Sequence, residues 1–307
     1  MSASDEANLG STAGGGGASK VRDTDWGNPA EHFFDGVAEV PGSAKTDPVL
    51  IARGVQRHFG GLTAVDVDHL EIQKGAITAL IGPNGAGKTT FFNLLSGFDR
   101  PDGGEVTFQG DTITNVAPHL LAKRGMVRTF QLTKVLGKLS VLENMKLGAQ
   151  LQSGESMMKA LLKPIWRNQE KAVEAKALVI LDEFNMVHMK DEFAGALSGG
   201  QRKLLEMARS MMTDPKVIML DEPMAGVNPA LTQSLLGHVK RMRSQGISVV
   251  FVEHDMDVVR DISDWVVVMA EGIVVAEGRA SSVGANPAVI DAYLGTSHTS
   301  LTDGGDQ

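Results

Sequence analysis

From residue 49 onward, short apolar runs alternate with longer stretches of helical period. Residues 49–53 and 55–59 have the apolar, β-branched character of strands. After a polar turn at Gly60-Gly61, residues 64–72 alternate apolar and polar side chains, the pattern of a half-exposed strand. Residues 76–81, 217–220 and 248–252 are instead continuous apolar runs, as in strands buried on both faces of a parallel sheet. Residues 105–109 and 126–131 read as further strands. Residues 265–269 and 273–276 form a closing hairpin around Glu271-Gly272. Helical period appears in Phe91, Phe92, Leu94 and Leu95, and again in Leu204, Leu205, Ala208, Met211 and Met212. It dominates residues 139–196, where 168–176 carry charged faces and Lys163-Pro164-Ile165 interrupts the pattern. Residues 287–294 predict a short terminal helix that stops at Gly295.

This order predicts an α/β fold: a mixed, largely parallel sheet flanked by helices, with an antiparallel β part. A helical subdomain, about 139–196, is inserted into the core. Met145, Met157, Met158, Met186 and Met189 of that insert suit adaptable core filling. The folded domain is expected over 49–295, with a flexible tail over 296–307. Residues 1–48 read as a disordered acidic arm rich in Gly and Ser, since they offer little apolar surface to offset their ordering entropy. Trp26, Phe33 and Phe34 are its exceptions, able to dock on the core or on another chain; a solvated arm is the simpler expectation.

Charge sharpens this division. The net charge is −8 over 307 residues, and residues 1–48 hold eight acids against only Lys20, Arg22 and Lys45. The remaining domain is nearly neutral, without the basic footprint of a nucleic-acid binder. The chain has no cysteine, which excludes disulfides, thiol nucleophiles and zinc–thiolate sites. No apolar run approaches the roughly 18 residues of a membrane span, and no signal peptide is legible.

The chemistry centres on Gly82-Pro83-Asn84-Gly85-Ala86-Gly87-Lys88-Thr89-Thr90, which fits the phosphate-loop pattern G-x-x-x-x-G-K-[ST]. Gly85 and Gly87 let successive N–H groups turn inward around phosphate oxygens. Lys88 reaches the β- and γ-phosphates as a point charge, and the Thr89 hydroxyl can ligate Mg²⁺. A buried strand before the loop and a helix after it supply the context the motif requires. A second anion-ready helix start, Leu197-Ser198-Gly199-Gly200-Gln201, points to a nucleotide gripped from two sides. The apolar run 217–220 ends in Asp221-Glu222-Pro223, delivering two carboxylates to a strand end beside the loop. The first can hold Mg²⁺ and the second can orient and deprotonate water. A further apolar strand ends at Glu253-His254-Asp255, placing His254 near a γ-phosphate as a hydrogen-bond donor. Phe59, just before two glycines, can stack on a nucleotide base or pack in the core.

The order phosphate loop, Gln131, LSGGQ, LDEP, His254 resembles the ATP-binding subunits of ABC transporters over about residues 49–295. The resemblance implies a P-loop ATPase core with ATP and Mg²⁺ as cofactors. It implies phosphate and metal binding by Lys88 and Thr89, metal binding by Asp221, a catalytic base in Glu222 and a γ-phosphate sensor in His254. Gln131 would link the metal site to the helical subdomain, and Phe59 would stack on adenine. Ser198, Gly199, Gly200 and Gln201 would cap the nucleotide of an opposing subunit in a head-to-tail dimer of identical or related ATPases. The segment Ala225-Gly226-Val227-Asn228-Pro229 departs from the usual Ala-Leu-Asp, because Asn228 supplies no negative charge. That form is similar to the ATPases of branched-chain amino-acid importers. So are the stretches 58–66, 128–131 and 285–295. The implied partners are membrane permease subunits and, indirectly, a solute-binding protein. The implied place is peripheral, at the cytoplasmic face of the plasma (inner) membrane. Urea and short-chain amide importers share these motifs, and lipopolysaccharide exporters are close to them. A clamp acting on nucleic acid or ribosomes would need a coiled coil, a second ATPase unit or a basic face, none of which the sequence carries.

Overall fold

The computed structural model describes residues 32–129, 135–149 and 163–299. An antiparallel sheet comes first, with strand order β2-β1-β4-β5: β1 is Pro48–Phe59, β2 Leu62–Gln73, β4 Gly103–Phe108 and β5 Asp111–Thr112. The two short strands expected at 49–53 and 55–59 are one strand. Its register shifts between Arg53 and Gln56, next to Gly54 at φ +55°. The second sheet has the order β10-β9-β3-β8-β7-β6. Here β3 is Ile77–Ile81, β6 Met126–Arg128, β7 Val217–Asp221, β8 Ser248–Val252, β9 Trp265–Ala270 and β10 Ile273–Gly278. Pairings from β9 through β6 are parallel, and only the β9–β10 hairpin is antiparallel.

The continuous apolar runs are explained by burial on both faces of this sheet. Every residue of β3, β7 and β8 is buried. Ile77, Ala79, Ile81, Ile218, Leu220, Val249 and Phe251 face one core, shared with helices α5 (Gly199–Met211) and α6 (Pro229–Ser244). Leu80, Val217, Met219, Val250 and Val252 face the other, shared with the antiparallel sheet and helix α1 (Lys88–Leu95). Helix α2 (Pro118–Arg124) precedes β6. The helical insert contains α3 (Val141–Lys146) and α4 (Lys163–Glu183), and Pro164 falls in the first turn of α4, where a proline costs the helix no hydrogen bond. Met145, Met186 and Met189 are buried there; Met157 and Met158 lie outside the described residues. Helix α7 (Met256–Ile262) follows β8. The final helix, α8 (Pro287–Thr299), runs through Gly295 rather than stopping there, so the first residues of the expected flexible tail are helical.

The expected disordered arm also needs correction where it is described. Residues 32–47 lie as a strap across the β9–β10 hairpin and β2. Phe34 is 2 % exposed and stacks on Trp265, with ring centroids 4.6 Å apart. Lys45 Nζ pairs with Glu277 Oε2 at 3.1 Å, with both side chains buried, and lies 4.6 Å from the Trp265 ring centroid. Glu277 also accepts from the Ser43 N–H (2.7 Å) and the Trp265 indole N–H (2.9 Å). Asp35 pairs with Arg279 at the surface. Trp26 lies outside the described residues.

Candidate nucleotide site

The phosphate loop runs from the carboxyl end of β3 into α1, and its glycines are required by contact as well as by conformation. Gly87 has φ +91°, and a Cβ there would lie 2.3 Å from the Ala64 carbonyl oxygen. A Cβ on Gly82, at φ +145°, would lie 2.0 Å from the Met269 carbonyl oxygen. The β9–β10 turn closes on the loop from behind: the Gly272 N–H donates to Ala86 O (3.1 Å), and the Asp66 N–H donates to Gly272 O (2.8 Å). Lys88 Nζ donates to Gly82 O (2.7 Å) and Pro83 O (2.8 Å), while burial holds its pKa below the usual lysine range against the opposing pull of Glu222. On α8, the Tyr293 hydroxyl accepts from the Gly82 N–H, and burial pushes its ionisation upward.

A cleft of about 730 Å³ opens over the loop. Asn84 through Thr90 line it, with Phe59 on one side and Glu222 and His254 on the other. Phe59 is 49 % exposed and lines the cleft, which leaves a ring face available to a base. Arg57 lies 4.8 Å from its centroid. Glu222 Oε1 is 2.8 Å from His254 Nε2, so the two side chains at neighbouring strand ends form one unit. Glu222 itself is left-handed, at φ +46°.

Asp221 is 7 % exposed, and its Oδ2 meets Arg128 Nη2 at 2.7 Å. Arg128 Nη1 also donates to Asn93 Oδ1 (2.6 Å) and Ser96 Oγ (2.9 Å), and the guanidinium lies against Phe92 and Phe98. Arg128 thus ties β6, β7 and α1 together at the site. Sequence reasoning assigned no role to Arg128 itself, although it sits in the Arg128-Thr129-Phe130-Gln131 stretch. Gln131 lies outside the described residues. Among the described residues no cluster of three His, Asp or Glu could cage a metal by itself. A divalent ion here would draw on the hard oxygens of Thr89 and Asp221 and on the nucleotide's own phosphates, a donor set suited to Mg²⁺.

Ser198, Gly199, Gly200 and Gln201 do not line this cleft. They form the start of α5 with a reciprocal capping box: Gln201 N–H donates to Ser198 Oγ (3.3 Å), and Ser198 N–H to Gln201 Oε1 (2.9 Å). Gly199 opens onto free space, whereas a Cβ on Gly200 would lie 1.8 Å from Leu231 Cδ2 on α6. Asn228 is the N-cap of α6, accepting from the Leu231 N–H at 3.0 Å. That local role needs a side-chain oxygen, which asparagine and aspartate supply equally.

A family model described as "ABC transporter" matches residues 65–225, more than half of the chain, and one described as "Branched-chain amino acid ATP-binding cassette transporter" matches residues 274–299. The chain is 41 % identical over 256 residues to a probable branched-chain amino acid transport ATP-binding protein LivG of Archaeoglobus fulgidus, covering 83 % of this chain and 99 % of the relative. It is 39 % identical over 250 residues to the high-affinity branched-chain amino acid transport ATP-binding protein BraF of Pseudomonas aeruginosa, covering 81 % and 98 %. The crystal structure of the ADP conformation of an ATP-binding cassette of an ABC transporter superposes with a TM-score of 0.71 at 38 % identity, covering 81 % of this chain and all of that one. The phosphate-loop cleft, its Glu222–His254 pair and these matches place the chain among the ATP-binding subunits of the ABC transporter family.

Proposed function

We propose that this chain is the ATPase that powers import of branched-chain amino acids through separate membrane permease subunits, as one half of a head-to-tail dimer. The 2.8 Å contact between Glu222 and His254 at the lip of the phosphate-loop cleft carries the chemical part of this reading. Glu222 accepts the proton of the attacking water, and His254 holds the Glu222 carboxylate while facing the terminal phosphate. Phe59 stacks on adenine, the N–H groups of residues 82–90 cradle the phosphates, and Lys88 exchanges its loop carbonyls for phosphate oxygens. Bound Mg²⁺, held by Thr89 and Asp221, would neutralise phosphate charge. Ser198, Gly199, Gly200 and Gln201, which do not line their own chain's cleft, meet the nucleotide of a second ATPase subunit.

The names of the relatives and the match at 274–299 support the substrate class. Among the described residues no helix is long and apolar enough to cross a membrane, which fits peripheral attachment at the cytoplasmic face. The contact with a solute-binding protein is indirect, and nucleic acid is not a partner. Glu222→Gln is expected to cut turnover by roughly 10²-fold or more with ATP binding retained. Uptake of labelled leucine in cells lacking the chain tests the substrate. Wild type should restore it and Lys88→Ala should not; undiminished uptake in the deletion would move the substrate to urea, short amides or other amino acids.

A further inference from the structure

Glu222 adopts a left-handed backbone conformation that non-glycine residues avoid, at φ +46°, so something must hold it there. Two charged groups hydrogen-bond the backbone of the turn that it opens. Lys203, on α5, sends its ammonium into the turn after β7 and donates to three consecutive-turn carbonyls: Glu222 O (3.3 Å), Pro223 O (3.0 Å) and Ala225 O (2.6 Å). Glu253, at the end of β8 and 4 % exposed, accepts from the Met224 N–H through Oε1 (2.9 Å) and from the His254 N–H through Oε2 (3.2 Å). The carbonyls of the turn therefore point to a cation and its one inward N–H points to an anion. The Glu222 N–H completes the arrangement by donating to Val252 O at 3.1 Å.

Neither ionic group is needed to fold a strand or a helix; Glu253 is buried and Lys203 half-buried where they meet this turn. Burial lowers the pKa of Lys203 and raises that of Glu253, and the charge of Glu253 opposes the first effect. Hydrogen bonds from a charged group to the backbone are stronger than neutral ones and so hold a turn more firmly. Glu253 also grips the N–H of His254, the partner of the Glu222 carboxylate, so one side chain sets both members of the catalytic unit.

We infer that Lys203 and Glu253 are positioning residues that clamp the turn 222–225 and thereby aim Glu222 at the phosphate-loop cleft. This rests on the reading of Glu222 as the base. Lys203 stands five residues after Ser198 on the same helix, so the clamp also ties the helix proposed to meet the second nucleotide to the base serving the first.

The test compares Lys203→Met, Lys203→Arg, Glu253→Leu and Glu253→Gln in the full chain. ATP turnover, the Kd of a fluorescent ATP analogue and hydrogen exchange of a peptide spanning 221–227 are read for each. Lys203→Met and Glu253→Leu are expected to lower kcat roughly tenfold or more, leave Kd within about twofold, and speed exchange in that peptide alone. Lys203→Arg and Glu253→Gln, which keep a donor and an acceptor in place, should stay within about threefold of wild type. Should Lys203→Met fail to fold, Lys203→Gln takes its place. Unchanged kcat in both disruptive variants, or kcat and Kd falling in parallel with exchange rising everywhere, overturns the clamp. Glu222→Gln separates the two levels: if it is inactive while Lys203→Met is fully active, only the clamp fails. If Glu222→Gln itself turns over normally, the assignment of the base fails.

Discussion

Replacing Phe34 by alanine asks whether the strap of residues 32–47 belongs to the fold. Phe34 is 2 % exposed and its ring lies nearly parallel to Trp265, at an interplanar angle of 18°. Truncating a buried phenylalanine costs about 3–5 kcal/mol, with the low end fitting a segment at the edge of the core that can relax. A folded region of roughly 250 residues unfolds with an entropy of about 0.5 kcal/mol per kelvin, so a loss of about 3 kcal/mol lowers Tm by roughly 6 °C. Scanning calorimetry of wild type and Phe34→Ala measures this directly. Tryptophan emission, measured in a background where Trp26 and Trp166 are replaced by Phe so that Trp265 alone reports, should shift toward that of a hydrated indole at temperatures where the variant is still folded. A Tm within 1 °C of wild type would refute the reasoning, because it would mean that the stack on Trp265 adds nothing and the strap is not docked in solution.

His238 is buried against Phe184, with ring centroids 4.2 Å apart, and its pKa is lowered by burial from 6.5 to about 4. The unfolded chain takes up a proton below about pH 6.5 that the folded chain refuses until about pH 4. The stability contributed by this residue is thus intact above pH 6.5 and falls by about 3 kcal/mol on the way to pH 4. Denaturant titrations at pH 7 and pH 5 should show the loss, and His238→Gln should flatten it. Gly87→Ala forces a Cβ against Ala64 O, so ATP affinity should drop tenfold or more in a fluorescent-nucleotide titration. Gly85→Ala, at φ +80° with nothing within 4 Å, should cost only about 1 kcal/mol of stability. Asn228→Asp preserves the N-cap of α6 and adds a charge that the helix dipole favours, so Tm should hold within about 2 °C. Any change in its turnover then reports the charge itself across the dimer.

What could be read from the sequence was what depends on neighbours in the chain. The buried strands announced themselves as continuous apolar runs because each residue in them meets a core on one face or the other. The phosphate loop and the helix start at Ser198 are local geometries written in consecutive residues. What was missed depends on distant partners. The strap was hidden because its composition, averaged over 48 residues, is acidic and glycine-rich, while its anchors are single residues. Lys45 meets Glu277 across 232 positions, and nothing near Lys45 signals a buried acid. Arg128 and Asp221 are 93 positions apart and belong to different strands, so their pairing appears only once β6 and β7 lie side by side. Helix α8 passes Gly295 because glycine stops a helix only when it takes a left-handed conformation, and Gly295 does not.

Tyr293 gives the chain a spectroscopic property. It is the only tyrosine in 307 residues, and its hydroxyl takes the N–H of the first phosphate-loop glycine. Any rearrangement at the root of the loop must change the hydrogen bonding of that one phenol. The resonance of a single incorporated fluorotyrosine is therefore a one-residue signal free of overlap from other tyrosines. The backbone event at the nucleotide site can be followed with no label attached to the residues that do the chemistry.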